Sequence, residues 1–114
     1  MSYETFKKAY IEAMLWTEQE GLPESAGVEL LAPETLRLID AETYVFWRRH
    51  QCLIGSHDEQ AGHDFWLTRN GYGCGFWDRG DVYGKYPASE LTSRAKGFGE
   101  ISLIFGDDGL LYLE

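Results

Sequence analysis

The stretch HDFWLTRNGYGCGFWDRG, residues 63–80, decides the fold that the sequence predicts. It contains Asn70-Gly71, the dipeptide most typical of a two-residue type I′ turn, because Asn and Gly best tolerate the positive φ angles that this turn needs. We therefore expect a β-hairpin centred on residues 70 and 71. Side chains alternate along a strand, so the turn also predicts which residues lie opposite one another.

One face of this hairpin is expected to carry bulky pairs directed into the core. The pairs are Arg69 with Tyr72, Leu67 with Cys74, Phe65 with Phe76, and His63 with Asp78. We interpret His63 and Asp78 as a structural ion pair that closes the open end. The other face is nearly bare at Gly73 and Gly75, where the Trp66 indole or another element can approach the backbone.

The chain before the hairpin predicts two helices. Ser2 is a suitable N-cap for a helix over about residues 3–20, and Gly21 followed by Pro23 is a typical helix end. Pro33 suits the first turn of a second helix, which we extend to residue 52 or 53. Residues 55–62 are polar and are predicted to form a loop.

The chain after the hairpin predicts a short helix over residues 88–98, followed by a second hairpin over residues 100–114. The expected fold class is therefore α+β, with two N-terminal helices packed on a four-stranded antiparallel ββαββ sheet. We expect a single domain over residues 1–114, with a helical part at 1–54 and a ββαββ part at 63–114.

The composition limits the functional classes. The chain has 114 residues, of which 19 are acidic and 10 are basic, giving a net charge of −9. This charge repels phosphate backbones and makes nucleic acid an unfavourable partner. Cys52 and Cys74 are far apart, which is typical of reduced thiols. No apolar run approaches the ~20 residues of a membrane span, so we expect a cytoplasmic protein without membrane contact.

Four segments together resemble a known family. They are AGHDFWLTRNGYGCGFWDRG at 61–80, LAPETL at 31–36, AKGFGE at 95–100 and GDDGLLYLE at 106–114. The resemblance is to small, mostly uncharacterised proteins encoded by bacteriophages and prophages, and it covers the chain from about Leu15 onward. This chain departs from the family's usual His and Ala at Tyr72 and Cys74. The resemblance implies a bacterial host cell as the setting and implies no particular reaction.

The residues that could carry chemistry have simpler explanations. Cys52, His57, His63 and Cys74 include the ligand types that zinc prefers, but their spacing matches no usual zinc pattern, so we predict no metal and no cofactor. His63 and Asp78 could form a general base with its carboxylate, yet no nucleophile accompanies them, so we predict no enzyme. The run Arg48-Arg49-His50 falls where positive charge complements a helix dipole, which we favour over phosphate binding.

Two functional hypotheses remain. The first is a small acidic phage accessory protein that binds a host or phage macromolecule, such as a nucleic-acid-handling or defence protein that it inhibits. Its proposed binding residues are Glu12, Glu18, Glu20, Glu24, Glu29, Asp58 and Glu59. The alternative is a single-stranded nucleic-acid or nucleotide-binding module that uses the bare hairpin face. Its proposed binding residues are Trp66, Arg69, Tyr72, Trp77 and Arg79. The acidic side chains are also explained by solubility alone.

Overall fold

The computed structural model describes residues 2–24 and 26–114, which form six α-helices and one two-stranded sheet. The helices are α1 (Tyr3–Thr17), α2 (Pro33–Arg49), α3 (Gln51–Ile54), α4 (Asp58–Arg69), α5 (Gly80–Tyr83) and α6 (Lys85–Lys96). The strands are β1 (Leu103–Phe105) and β2 (Leu111–Leu113), and short 3-10 turns lie at Gln19–Gly21, Val28–Leu30 and Phe76–Asp78. The predicted fold class, an α+β fold with a four-stranded ββαββ sheet, is therefore wrong.

The stretch that was expected to form the first hairpin begins instead as a helix. α4 includes the first seven residues of that stretch and also most of the predicted polar loop before it. Ala61, Phe65 and Thr68 recur at helical spacing and are all buried, as are Gly62 and Trp66 on the adjoining face. α4 therefore buries two neighbouring faces. Over so few residues, the resulting run of apolar side chains resembles that of a buried strand, so periodicity alone does not distinguish the two.

Asn70-Gly71 ends α4 rather than forming a hairpin turn. Asn70 has a φ of −100°, and only Gly71, at +72°, is left-handed. The Gly71 N–H donates to the carbonyl of Thr68 at 3.3 Å. The Tyr72 N–H donates to the carbonyl of Leu67 at 3.1 Å. These two bonds form a Schellman motif, in which a left-handed glycine satisfies the last carbonyls of a helix.

The chain after Gly71 folds back on α4 without forming a strand. Gly75 lies so close to α4 that a Cβ there would be 2.3 Å from Oγ1 of Thr68. The same hydroxyl accepts the N–H of Phe76 at 2.9 Å. The predicted Phe65–Phe76 strand pairing is wrong, although both rings are buried. They lie against Phe46 of α2, with ring centroids 4.0 Å and 5.8 Å from it.

α1 and α4 form the most extensive helix pair of the fold. Gly62 allows their close approach, because a Cβ on it would lie 2.2 Å from the Phe6 carbonyl oxygen and 2.7 Å from the Ala9 Cβ. All six helices and both strands contribute side chains to one buried cluster. The largest fully buried members are Trp66, Tyr10, Phe6, Phe46, Phe65 and Phe76.

The N-terminal helices largely agree with the prediction. Ser2 caps α1 through its side-chain oxygen, which accepts the N–H of Thr5 at 3.1 Å. α1 ends at Thr17, slightly earlier than expected. α2 begins at Pro33 as predicted, and its expected C-terminal extension is the separate short helix α3. No helix within the described ranges combines the length and apolar character that spanning a membrane requires.

The C-terminal strand pair is the part of the predicted sheet that the structure contains. β1 and β2 are antiparallel, with Leu103 opposite Leu113. The carbonyl of Leu111 accepts hydrogen bonds from the Ala32 N–H at 3.1 Å and the Thr35 hydroxyl at 2.8 Å, which dock the pair on the start of α2. Ile104, on β1, is 41% exposed. The strand pair is therefore partly open to solvent, whereas the predicted sheet would have packed against the two N-terminal helices.

Candidate functional site

Trp16 is the most exposed large apolar side chain in the described part of the chain, at 71% of its surface. It lies in the last turn of α1, at the edge of the helix face that buries Ala9 and Ala13 against the core. A helix periodicity of 3.6 residues places Trp16 beside Glu12 and Ala13. The indole is therefore held by an ordered helix while remaining open to solvent.

A cavity of about 570 Å³ lies on one side of Trp16, between α1, α4 and the segment that follows α4. α1 contributes Glu12, Ala13 and Trp16 to its lining. α4 contributes Gln60, His63 and Leu67, which share one helix face because they are spaced by three and four residues. Cys74 and Arg79 complete the lining.

A second cavity, of about 330 Å³, also includes Trp16 in its lining. Its lining residues are Leu15, Trp16, Gln19, Leu22, Pro23, Glu24 and Ala26. Trp16 is thus the residue that the two linings share. We call these two cavities, together with Trp16 and the five glutamates of residues 12–29, the Trp16 surface.

The charge beside the Trp16 surface is acidic. Residues 12–29 contain five glutamates and no Lys, Arg or His. Glu12 and Glu24 line the two cavities. Glu18 and Glu20 flank Gln19 at the end of α1, and Glu29 follows in the turn at Val28–Leu30. These are five of the seven acidic residues that the sequence proposes for partner binding.

The basic groups of the larger cavity already have partners. Nε of Arg79 lies 3.4 Å from Oδ1 of Asp64. Nε2 of His63 lies 3.7 Å from Oε1 of Glu12. The predicted ion pair between His63 and Asp78 is therefore wrong, since Oδ1 of Asp78 accepts the N–H of Gly75 at 3.1 Å instead. The helix that replaces the hairpin directs His63 toward α1.

Asp64 is a fully buried carboxylate behind the larger cavity. It accepts hydrogen bonds from the Tyr83 hydroxyl at 2.8 Å and from Nε2 of Gln60 at 3.0 Å, in addition to its contact with Arg79. Burial raises the pKa of Asp64 above its usual value, although these three donors oppose the shift. Burial, reinforced by Asp64, also raises the pKa of Tyr83. Asp64 therefore fixes Gln60 and Arg79 in the cavity wall.

The residues proposed for nucleic-acid binding do not form a common face. The indole of Trp66 is buried and donates to Oγ1 of Thr17 at 2.8 Å. Arg69 is buried and pairs with Glu42 at 2.8 Å. Tyr72 is half-buried and Trp77 is 53% exposed, while Arg79 alone of the five lines the larger cavity. The predicted glycine-lined surface does not exist, because the stretch is not a hairpin.

Asp58 and Glu59, the other two acidic residues proposed for partner binding, differ in their exposure. Glu59 is exposed at the start of α4. Asp58 is buried, and its carboxylate accepts the Ser2 N–H at 2.7 Å and Nε1 of Trp47 at 3.0 Å. Asp58 is therefore not part of an acidic surface. Its carboxylate joins the starts of α1 and α4 to α2.

Of the cysteines and histidines that suggested a zinc site, only His63 and Cys74 line the same cavity. Cys52 is exposed on α3, and Cys74 lines the larger cavity. The His57 ring packs edge-on against Tyr83, with centroids 5.9 Å apart. Within residues 2–24 and 26–114, no group of three or more His, Cys, Asp or Glu side chains could hold a metal ion.

The sequence interpretation missed several residues of the Trp16 surface, among them Trp16, Gln60 and Leu22. Trp16 lies outside the main apolar stripe of the first helix, and that offset was the available signal. Gln60 falls in the segment that the sequence predicts as a polar loop, so its helical spacing to His63 and Leu67 appears only in the folded structure.

No family model, no curated protein and no solved structure matches this chain. The resemblance to phage-encoded proteins, which covers the chain from about Leu15 onward, stays a prediction.

Proposed function

We propose that this protein acts by binding a basic, partly apolar segment of another protein at the Trp16 surface. The observation that carries the proposal is the 71% exposure of Trp16, which lines two cavities within a segment that contains five glutamates and no basic residue. Exposed aromatic residues in concave surroundings are typical anchors of protein interfaces.

The energetic argument combines an apolar anchor with an acidic rim. Fully burying a large apolar side chain stabilises a complex by about 1.5–3 kcal/mol, and a tryptophan at the centre of an interface commonly contributes ~2 kcal/mol or more. Charges at a rim add less affinity but accelerate association and select the partner. Glutamates 12, 18, 20 and 24 therefore favour a partner in which Lys or Arg flank an apolar residue.

The phage setting that the sequence resemblance implies suggests which partners would fit. Proteins that handle nucleic acid carry basic surfaces, because they neutralise phosphates. An acidic phage accessory protein that occupied such a surface would inhibit a nucleic-acid-handling or defence protein of the bacterial cytoplasm. We therefore propose a host or phage protein, rather than nucleic acid, as the partner. The nucleic-acid alternative loses its structural basis, since Trp66 and Arg69 are buried.

A peptide selection with two tryptophan variants tests the proposal. Random peptides would be selected on the wild-type protein and on Trp16→Ala, with Trp77→Ala as the matched control because Trp77 is also an exposed tryptophan. We expect the wild type and the Trp77 variant to enrich peptides that combine Lys or Arg with an apolar residue. Loss of Trp16 should weaken their binding about 30-fold, corresponding to ~2 kcal/mol.

The selected peptides should also bind more weakly as salt is raised, because the acidic rim acts through screened charges. Enrichment of peptides without basic residues would contradict the proposal. Equal affinity of the enriched peptides for the wild type and the Trp16 variant would contradict it as well.

A further inference from the structure

A separate cavity of about 360 Å³ lies where the C-terminal ends of α2 and α6 meet. α2 and the residue after it contribute Val45, Phe46, Arg49 and His50 to its lining. α6 and the chain after it contribute Ser93, Arg94, Gly97 and Phe98. The tertiary fold thus joins the basic run at residues 48–50 to a second basic segment that is distant in sequence.

The two helix ends that meet at this cavity carry more positive charge than their helix dipoles balance. The last turns of the two helices carry Arg48, Arg49, Arg94 and Lys96. A helix C-terminus is equivalent to about half a negative charge, so two termini balance about one of these four cations. The carboxylate of Glu90 pairs with Arg94 at 3.1 Å and balances one more. About two positive charges remain at these helix ends, in a protein whose net charge is −9. Of the four cations, Arg49 and Arg94 line the cavity itself.

The two arginines of the cavity differ in their hydrogen-bond partners. Arg49 is exposed, and no side chain in the described residues forms an ion pair or hydrogen bond with it. Arg94 is bonded only to Glu90 on its own helix, and its side chain is 62% exposed. The guanidinium groups therefore retain free N–H donors, and guanidinium binds phosphate oxygens in a fixed planar geometry.

We propose that this cavity binds a phosphate monoester, whose phosphate is held by Arg49 and Arg94 and whose organic substituent contacts Val45 and Phe98. The volume lies at the lower end of the range for ligand cavities, which fits a small ligand rather than a polymer. The apolar side chains explain why an organic monoester should bind better than inorganic phosphate. This site is distinct from the Trp16 surface and does not depend on the function proposed above.

His50 gives the site a spectroscopic reporter. Its Nδ1 lies 2.8 Å from the Phe46 carbonyl oxygen, so Nδ1 is the donor and the ring is neutral unless Nε2 also gains a proton. Burial lowers the pKa of His50, and the charges of Arg94 and Arg49 lower it further, while the hydrogen bond to the Phe46 carbonyl and the charge of Glu90 oppose the shift. A bound dianion would offset the two arginines and raise that pKa. By linkage, protonation of His50 would strengthen the binding of the anion.

NMR titration of the full chain tests the site. Inorganic phosphate and a nucleoside monophosphate would be added at constant ionic strength, with sodium sulfate and sodium chloride as comparison salts. We expect saturable shifts at Ser93, Arg94 and Gly97, a Kd of about 1 mM or below for the monophosphate, and a raised His50 pKa in the bound state.

Three variants separate the site from general charge effects. Arg49→Ala and Arg94→Ala should each weaken binding about tenfold, since each removes a charge-assisted bond. Arg37→Ala, at an exposed arginine of α2 outside this cavity, should leave the Kd unchanged. Equal shifts with chloride, or equal Kd values for all three variants, would show counter-ion binding only and would overturn the proposal. Absence of saturable shifts would overturn it too.

The phosphate monoester could be a soluble metabolite or the headgroup of phosphatidic acid. Co-sedimentation with vesicles of phosphatidylcholine, with and without phosphatidic acid, distinguishes these sources. Vesicle binding that requires phosphatidic acid and Arg49 would assign the lipid. Binding of the monophosphate without any vesicle binding would assign the soluble ligand.

Discussion

Replacing Gly62 by alanine tests the closest helix contact of the fold. The added Cβ would lie 2.2 Å from the Phe6 carbonyl oxygen, 2.7 Å from the Ala9 Cβ and 3.0 Å from the Tyr10 nitrogen. Two of these atoms belong to the backbone and cannot rotate away. α1 and α4 would have to separate by about 1 Å at this point to restore ordinary contact distances.

The expected cost follows from two opposing effects. Overpacking in a core costs about 1–3 kcal/mol, and the higher value applies here because the clash is with backbone. Alanine is a better helix former than glycine by about 1 kcal/mol, which offsets part of that cost. We therefore expect Gly62→Ala to lower the free energy of unfolding by about 2 kcal/mol.

Urea unfolding followed by circular dichroism measures this change. Gly73→Ala is the matched control, because a Cβ on Gly73 would meet no atom within 4 Å, and it should change the unfolding free energy by less than ~0.5 kcal/mol. A Gly62 variant as stable as the wild type would refute the close packing of α1 on α4. If residues 55–62 formed the predicted polar loop, Gly62→Ala would leave the unfolding free energy nearly unchanged.

Three further predictions concern the buried polar contacts. Arg69→Met should lower the unfolding free energy by about 3 kcal/mol in a urea titration, because it leaves Glu42 without its ion-pair partner; a loss below ~1 kcal/mol would contradict this. Burial raises the pKa of Tyr10 from 10.0 to about 12, so its contribution to stability should be complete below pH 10 and be lost as pH rises toward about 12. Tyr10→Phe should flatten the alkaline fall of the urea midpoint, and an unchanged fall would contradict the shift. Thr68→Val should cost about 1–2 kcal/mol in thermal or urea unfolding, because the Phe76 N–H loses its acceptor, whereas an unaffected variant would show that this bond is dispensable.

The helices whose ends carry unambiguous signals could be predicted from the sequence. Ser2 and Pro33 mark the starts of α1 and α2 by backbone chemistry that depends on only a few neighbouring residues. The terminal strand pair was also predictable from a local signal, because a glycine suits the turn between its strands. Gly109 adopts a φ of +83° there. A local sequence signal predicts the secondary structure correctly where only one local structure is compatible with it.

Asn70-Gly71 failed as a guide because two structures satisfy it. A left-handed glycine after Asn suits a type I′ hairpin and also the end of a helix. The choice depends on whether the preceding residues find partners at helical spacing, and those partners are remote. The indole of Trp66 bonds Thr17, which is 49 residues away in the chain, and Arg69 bonds Tyr10, which is 59 residues away.

The candidate sites show the same division. The glutamates from Glu12 to Glu29 and the basic run at residues 48–50 are visible in the sequence as charge. Trp16 belongs to a residue type that is usually buried, and its 71% exposure is visible only in the folded chain. Arg94 gains its role solely because α6 places it beside Arg49.

The sequence by itself determined the acidic charge, the caps of the first two helices and the terminal strand pair, because each depends on composition or on a few adjacent residues. The tertiary structure alone decided that residues 63–69 are helical, which side chains surround Trp16, and which cations meet at the end of α2. The physical reason is that burial of α4 against α1 outweighs a local turn preference, and that burial arises from contacts between residues far apart in the chain.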